Sequence, residues 1–194
     1  MQFDNIIKHI GKHISFTDEE TSLFKSKLIH RKLRKRQYLL QSGDVCRHYT
    51  YVNKGFLRLY YIDENDNEHN LLLATEDKWI TDIGSFHLKK PSSFFIDALE
   101  PSEVFQIKYS DLINLYLTNS KYDRIFRVYL EYDFIALQQR LLLNISSTAE
   151  HRYLVFCEMY PHLLQRLPLT HIASYIGITP EFLSKIRNKL SKKI

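Results

Sequence analysis

The spacing of apolar residues changes period twice along the chain. From Asp4 to His13, Ile6, Ile7 and Ile10 recur at helical spacing and predict a short helix with these three turned inward. Thr17-Asp18-Glu19-Glu20 places a hydroxyl three residues before a Glu, a capping segment that predicts a second helix from Thr17 to about Leu28. The basic run Arg31–Arg36 (RKLRKR) reads as a solvated entry to the first strand. From Gln37 to about Lys108 the period falls to two, with short β-branched or aromatic runs between turn residues. Ser42-Gly43-Asp44 and Asn53-Lys54-Gly55 mark turns. Phe56–Ile62 is a strand, Asp63–Asn67 a polar hairpin loop and His69–Ala74 the return strand. Ser93–Ala98 and Glu103–Lys108 are expected to pair around Glu100-Pro101-Ser102. Strands this short and this closely spaced predict an antiparallel roll or barrel.

Helical spacing returns at Ser110, with a short helix over Asp111–Leu117 and a long one from Lys121 to about Ser146 that contains neither Gly nor Pro. A helix of roughly 26 residues spans roughly 39 Å, more than a small roll covers. One apolar stripe packs on the roll, and another is left needing a partner. A homodimer joined helix to helix meets that need. A helix over Ser147–Tyr160 and a connector over Pro161–Pro168 lead into the last segment.

Leu169–Ile194 predicts two short helices around a tight turn. Ile172, Ala173 and Ile176 share one face of the first helix, and small Ala173 lets the second cross closely. Gly177 turns with positive φ at no Cβ cost, and Ile178 is expected to be a buried pin. Thr179-Pro180-Glu181 is a helix start, with an N-cap hydroxyl, a proline at the first position and an acid in the first turn. Leu183, Ile186 and Leu190 continue inward. This is the pattern of a DNA-binding helix-turn-helix. Glu181, Ser184, Lys185 and Asn188 share the outward face that enters a major groove, where Lys donates to guanine and Glu accepts from cytosine. Thr170, Thr179 and Pro180 border that face. Arg187, Lys189, Lys192 and Lys193 are placed to meet phosphates.

Charge agrees with that placement. The chain carries +5 net at neutral pH, and residues 151–194, with seven basic and two acidic side chains, hold the whole excess. At 194 residues and 44% hydrophobic, the chain can bury one large domain and a small one. Cys46 and Cys157 lack Cys-x-x-Cys spacing, so neither a disulfide framework nor a thiolate metal site is expected. No signal peptide is expected in the N-terminal stretch and no apolar run approaches membrane length, so a cytoplasmic protein is expected.

The order of roll, long helix and helix-turn-helix resembles the Crp/Fnr superfamily of bacterial transcription regulators, and the resemblance runs over essentially the whole chain. Three stretches carry it: Leu40-Gln41-Ser42-Gly43-Asp44 with Val52–Arg58; Trp79-Ile80-Thr81-Asp82-Ile83-Gly84-Ser85-Phe86; and Leu169–Leu190. Within the superfamily it looks like the divergent, small regulators of the Bacteroidetes type. The resemblance implies an α+β protein with a jelly-roll-like β-roll effector domain in residues 1–117, a central dimerisation helix in 118–146 and a DNA-binding domain in 147–194. It also implies RNA polymerase as a partner. In cyclic-nucleotide-binding members a Gly-Glu pair and a later Arg-Ser or Arg-Thr hold the cyclic phosphate. Here Thr81-Asp82 and Ser92-Ser93 stand at those places. A phosphate beside Asp82 would then have no compensating charge, so cyclic AMP is not expected as the effector, and no cofactor is assigned. The iron–sulfur cysteines and a haem-ligand signature are absent too. The chain is also expected to have little or no β-wing after the recognition helix.

Arg58, Thr81, Asp82, Ser92 and Ser93 remain as possible pocket residues, with Gln138 reaching in from the central helix. His9 and His13 at i, i+4 read as a solvated helix face rather than a metal pair, and Tyr122, Tyr129 and Tyr132 as packing. A cupin-like enzyme would need a His-x-His cluster that His48 and His69 do not supply, so no catalytic or metal-binding residues are expected. The other reading of the chain is a ligand-sensing or protein-interaction module whose helix-turn-helix no longer touches DNA.

Overall fold

The computed structural model describes residues 3–191, which divide into two compact units, one of residues 3–61 and 71–131 and the other of residues 62–70 and 132–191. The first unit opens with α1 (Asp4–Gly11) and α2 (Asp18–Ser26). α2 starts where the capping segment predicts it: Thr17 Oγ1 accepts from the Glu20 amide, and the Glu20 carboxylate accepts from the Thr17 amide. The same Glu20 carboxylate accepts from Asn119 and Lys121, which ties α2 to the start of the long helix.

Eight strands follow: β1 (Ile29–Leu33), β2 (Tyr38–Leu40), β3 (His48–Lys54), β4 (Leu57–Ile62), β5 (Glu68–Ala74), β6 (Trp79–Ile80), β7 (Phe95–Ala98) and β8 (Ser102–Lys108), with α3 (Ile83–Leu88) between β6 and β7. They form two antiparallel sheets, in the order β1-β8-β3-β6 and β2-β7-β4-β5. Alternation along β3 and β8 divides their side chains between two buried faces. Tyr49 and Tyr51, opposite Ile107 and Phe105, meet Trp79, α1 and the long helix. Thr50 and Val52, opposite Gln106 and Val104, turn into the roll.

Two expectations for the roll change. β7 and β8 are not a hairpin: β7 pairs with β2 and β4, while β8 pairs with β1 and β3. The turn at Glu100-Pro101 carries the chain from one sheet to the other, and the Leu99 amide donates to the Phe56 carbonyl on the way. The first strand also begins earlier than Gln37, because Ile29–Leu33 pairs along β8 and takes Arg31 and Lys32 into a ladder.

α4 (Tyr109–Thr118) leads to α5 (Ser120–Ser146), which has 27 residues. Tyr122, Ile125, Phe126 and Tyr129 are its buried stripe in the first unit. Tyr132, expected to pack, is exposed. His9 is not on a solvated face: its ring stacks on Tyr129 at 5.1 Å and meets Tyr51 at 5.7 Å.

In the second unit the remainder of α5 is followed by α6 (Ala149–Met159), a 3-10 turn over Pro161–Leu163, α7 (Leu169–Tyr175) and α8 (Pro180–Ser191). Thr148 caps α6 by accepting from the His151 amide. Arg152 holds the unit together from inside, donating to the Ile176 and Ser147 carbonyls. Among the described residues no helix is long and apolar enough to cross a membrane.

Candidate functional site

The α7–α8 pair takes its shape from a few small contacts. Ile172 and Ala173 are fully buried on α7 and Ile176 nearly so. Gly177 lies at φ +71°, and the Ile178 amide returns to the Ala173 carbonyl at 3.0 Å, which closes the turn. Ile178 is half-buried rather than a buried pin. Thr179 Oγ1 accepts from the Phe182 amide at 3.2 Å, and Pro180 is the first residue of α8. Leu183 and Ile186 are buried beneath, with Leu190 half-buried.

Glu181, Ser184, Lys185 and Asn188 are all exposed on α8, as are Thr170 on α7 and Thr179 in the turn. Pro180 is half-buried. Phe182 lies among the polar residues of α8, 48% exposed, and the sequence reading did not single it out. Its neighbours at Leu183 and Ile186 satisfy the apolar stripe, so an extra aromatic gives no periodic signal. Lys189 donates to Glu150 of α6 at 2.5 Å, and Arg187 lies against Tyr153 and Cys157 of the same helix. Both cations thus have protein partners, although their exposure leaves them within reach of phosphate. Lys192 and Lys193 lie outside the described residues.

The second feature that the sequence did not announce is the tip of the β4–β5 hairpin. Ser174 on α7 accepts from the Asn70 amide at 2.8 Å and donates to the Glu68 carbonyl at 2.6 Å. The Asn70 amide side chain donates to the His171 carbonyl at 3.1 Å. The hairpin is stiffened from within: Asp63 accepts from the Asn65 and Asn67 amides and from His69, which hold its carboxyl well below the usual range. Backbone–hydroxyl bonds of this kind leave no trace in hydrophobic spacing.

In the roll, the segment around α3 is closed on itself. Asp82 is buried and caps α3, one oxygen accepting from the Ser85 amide at 3.1 Å and the other from the Ser92 hydroxyl at 2.6 Å. The Ser92 amide donates to the Asp44 carbonyl, and its carbonyl accepts from the Gly43 amide. Thr81 donates to the His48 carbonyl and lies 3.2 Å from Cys46 Sγ. Arg58 forms a buried pair with Asp97, Nε to Oδ1 at 2.8 Å, and its guanidinium lies 3.8 Å from the Tyr60 ring centre. Ser93 and Gln138 are exposed, Gln138 on the stretch of α5 in the other unit. Asp82 and Ser92 therefore satisfy each other, and Arg58 is committed to Asp97. These residues do not fit a cyclic phosphate, which would need a cation where Ser92 stands.

Residues 30–119 match the family model described as a cyclic nucleotide-binding domain. Among curated proteins none matches the chain. Among solved structures, FixK2 from Bradyrhizobium japonicum superposes with a TM-score of 0.75 at 16% identity, covering 86% of this chain and 85% of its own. CLP of Xanthomonas campestris, a global regulator responsive to c-di-GMP, gives 0.71 at 16% identity, with 91% and 93% covered. A protein of Eubacterium rectale assigned to the Crp/Fnr family of transcriptional regulators gives 0.70 at 13%, with 92% and 85% covered. Over residues 30–119 the chain is thus similar to a cyclic nucleotide-binding domain, and it shares its fold with these solved structures.

Proposed function

We propose that this chain is a sequence-specific DNA-binding transcriptional regulator of the Crp/Fnr type, a homodimer on a palindromic site, whose effector is not cyclic AMP. α7 and α8 form its helix-turn-helix, and α8 is the recognition helix. The observation that carries this reading is the exposed set Glu181, Ser184, Lys185 and Asn188 on a capped helix packed against α7, whose Ala173 is fully buried. Two such helices would enter successive major grooves about 34 Å apart. Arg187 and Lys189 exchange their protein partners for phosphates, which position the helix without reading sequence. RNA polymerase is the expected protein partner, the cytoplasm the expected compartment, and no catalysis is assigned.

The test is selection of genomic fragments by the purified protein at near-physiological salt, followed by anisotropy titration of the enriched site. A palindromic motif bound far more tightly than scrambled DNA is expected. Lys185→Ala should relax base preference by about 1–3 kcal/mol at the position it reads. If no motif is enriched with or without metabolites, the chain is a sensing or interaction module. If Lys185→Ala changes neither affinity nor preference, the recognition face lies elsewhere.

A further inference from the structure

The inside of the roll holds a cavity of about 280 Å³ that Asp82, Ser92 and Arg58 do not line. Its polar side is built on the inward face of the first sheet. Arg31 of β1 donates to the Gln106 side-chain carbonyl at 3.2 Å, and Gln106 donates to Thr50 Oγ1 at 3.0 Å. Gln106 and Thr50 are each 3% exposed, so the amide is locked in one orientation and holds the guanidinium at the cavity wall. That bond engages one of the five N–H donors of arginine. Leu40 and Ile96, from the opposite sheet, supply the apolar wall.

The electrostatics are one-sided. Arg31, Arg47 and His48 all line the cavity, with Asp44 exposed at its rim. Burial first, and then the positive charges of Arg31, Lys108 and Arg47, hold the His48 imidazole below its ordinary range. Three permanent cations thus converge on a neutral imidazole, which can donate or accept a hydrogen bond. A polar chain buried between two sheets costs folding free energy. The hydrophobic pattern of the roll needs none of it, since Val52, Val104 and Leu33 complete the same face with apolar groups.

We propose that this cavity binds a small organic anion, its carboxylate or monoester phosphate held by Arg31 and His48 and its short apolar body lying along Leu40 and Ile96. A cavity of about 280 Å³ admits an acid of six or seven carbons. The shared chemistry is a compact oxyanion with a small hydrocarbon part, and carboxylate and phosphate are separated by experiment. Because binding is read without DNA, failure of this proposal leaves the regulator reading intact, and loss of DNA binding leaves this proposal intact.

The experiment is isothermal titration calorimetry and thermal shift on the full chain with hexanoate, hexanamide and inorganic phosphate. Hexanoate is expected to bind and raise the melting temperature, while hexanamide, isosteric and uncharged, does not. Arg31→Gln should weaken binding at least tenfold, whereas Ser92→Ala should leave it unchanged. If Arg31→Gln fails to fold, Leu40→Trp, which fills the apolar end, is expected to abolish binding instead. Binding of phosphate in preference to hexanoate assigns a phosphate head and supports the same site. The proposal is overturned if neither anion binds at about 10 mM, above the Kd that a ligand this small reaches. It is equally overturned if hexanamide binds as well as hexanoate, or if Arg31→Gln folds and binds as the wild type does.

Discussion

Gly55 lies at φ +104°, and a Cβ there would stand 2.7 Å from the Ser102 Cα and 2.2 Å from its Oγ. The same hydroxyl accepts from the Phe56 amide and donates to the Glu100 carbonyl, so it cannot swing aside without breaking both. Gly55→Ala is expected to cost about 3 kcal/mol in urea denaturation, combining backbone strain with the clash. Gly43 at φ +91° has nothing within 4 Å of its Cβ position, so Gly43→Ala should cost only about 1 kcal/mol of strain. Equal losses at the two sites would remove the steric part of this account. His9 offers a second test. Its burial against Tyr129 and Tyr51 outweighs the attraction of Asp77, 3.8 Å away, with Lys12, His13 and Lys78 adding repulsion, and its pKa is lowered to about 4. Since the unfolded imidazole takes its proton near pH 6.5, the unfolded state binds more protons between pH 6.5 and 4. Stability should therefore be full above 6.5 and fall on acidification, by about 2 kcal/mol from pH 7 to 4.5. His9→Phe should remove that component from the pH profile, and an unchanged acid slope would mean that His9 is not its source.

The long helix, the capped helices and the α7–α8 pair are legible from spacing, because each has one buried face and a cap that side chains mark. Helix α5 falls within one residue of its expected start. The sheet pairing is less legible. Phe95–Ala98 and Ser102–Lys108 are neighbours in sequence and would make a hairpin by turn chemistry alone, but each finds its partners elsewhere once the roll closes. β1 hides in a basic run because this edge strand presents Lys32 outward and turns Arg31 inward to Gln106, and both positions still complete the ladder with β8. The hairpin–α7 link is illegible for a different reason. Ser174 works through its hydroxyl to two backbone groups far away in sequence, and no period or charge pattern records that. Ser174→Ala leaves the Asn70 amide and the Glu68 carbonyl without this partner. In hydrogen exchange the Asn70 amide should then exchange at least tenfold faster, while amides in β3 keep their protection. Unchanged exchange at Asn70 would show that the hairpin is held by its own internal bonds.

Along α5 the apolar residues Leu130, Phe134, Leu137, Leu141 and Ile145 recur at intervals of four, three, four and four, and all are at least 40% exposed. In the proposed homodimer this row would be the seam of a two-stranded coiled coil, in which each such side chain enters a gap on an identical helix. A second copy of this chain satisfies the row by symmetry, since the same face serves both partners. The proposed dimer has a consequence for the proposed DNA binding. Each protomer alone would bind one half-site weakly, and joining two raises the affinity for the full palindrome by the effective concentration of the second helix, a factor of about 10²–10⁴. Leu141→Glu puts a charge into the middle of the seam without touching the described core. Sedimentation equilibrium at micromolar protein should find a dimer for the wild type and a monomer for the variant, with unchanged far-UV circular dichroism. Leu117→Glu, at an 81% exposed position on α4, should remain a dimer. The Leu141 variant should keep half-site affinity and lose the gain from the second half-site, so its titration on full and half palindromes should converge. A monomer that still distinguishes full from half sites would place the coupling outside α5, and a persistent dimer would place the seam on another surface.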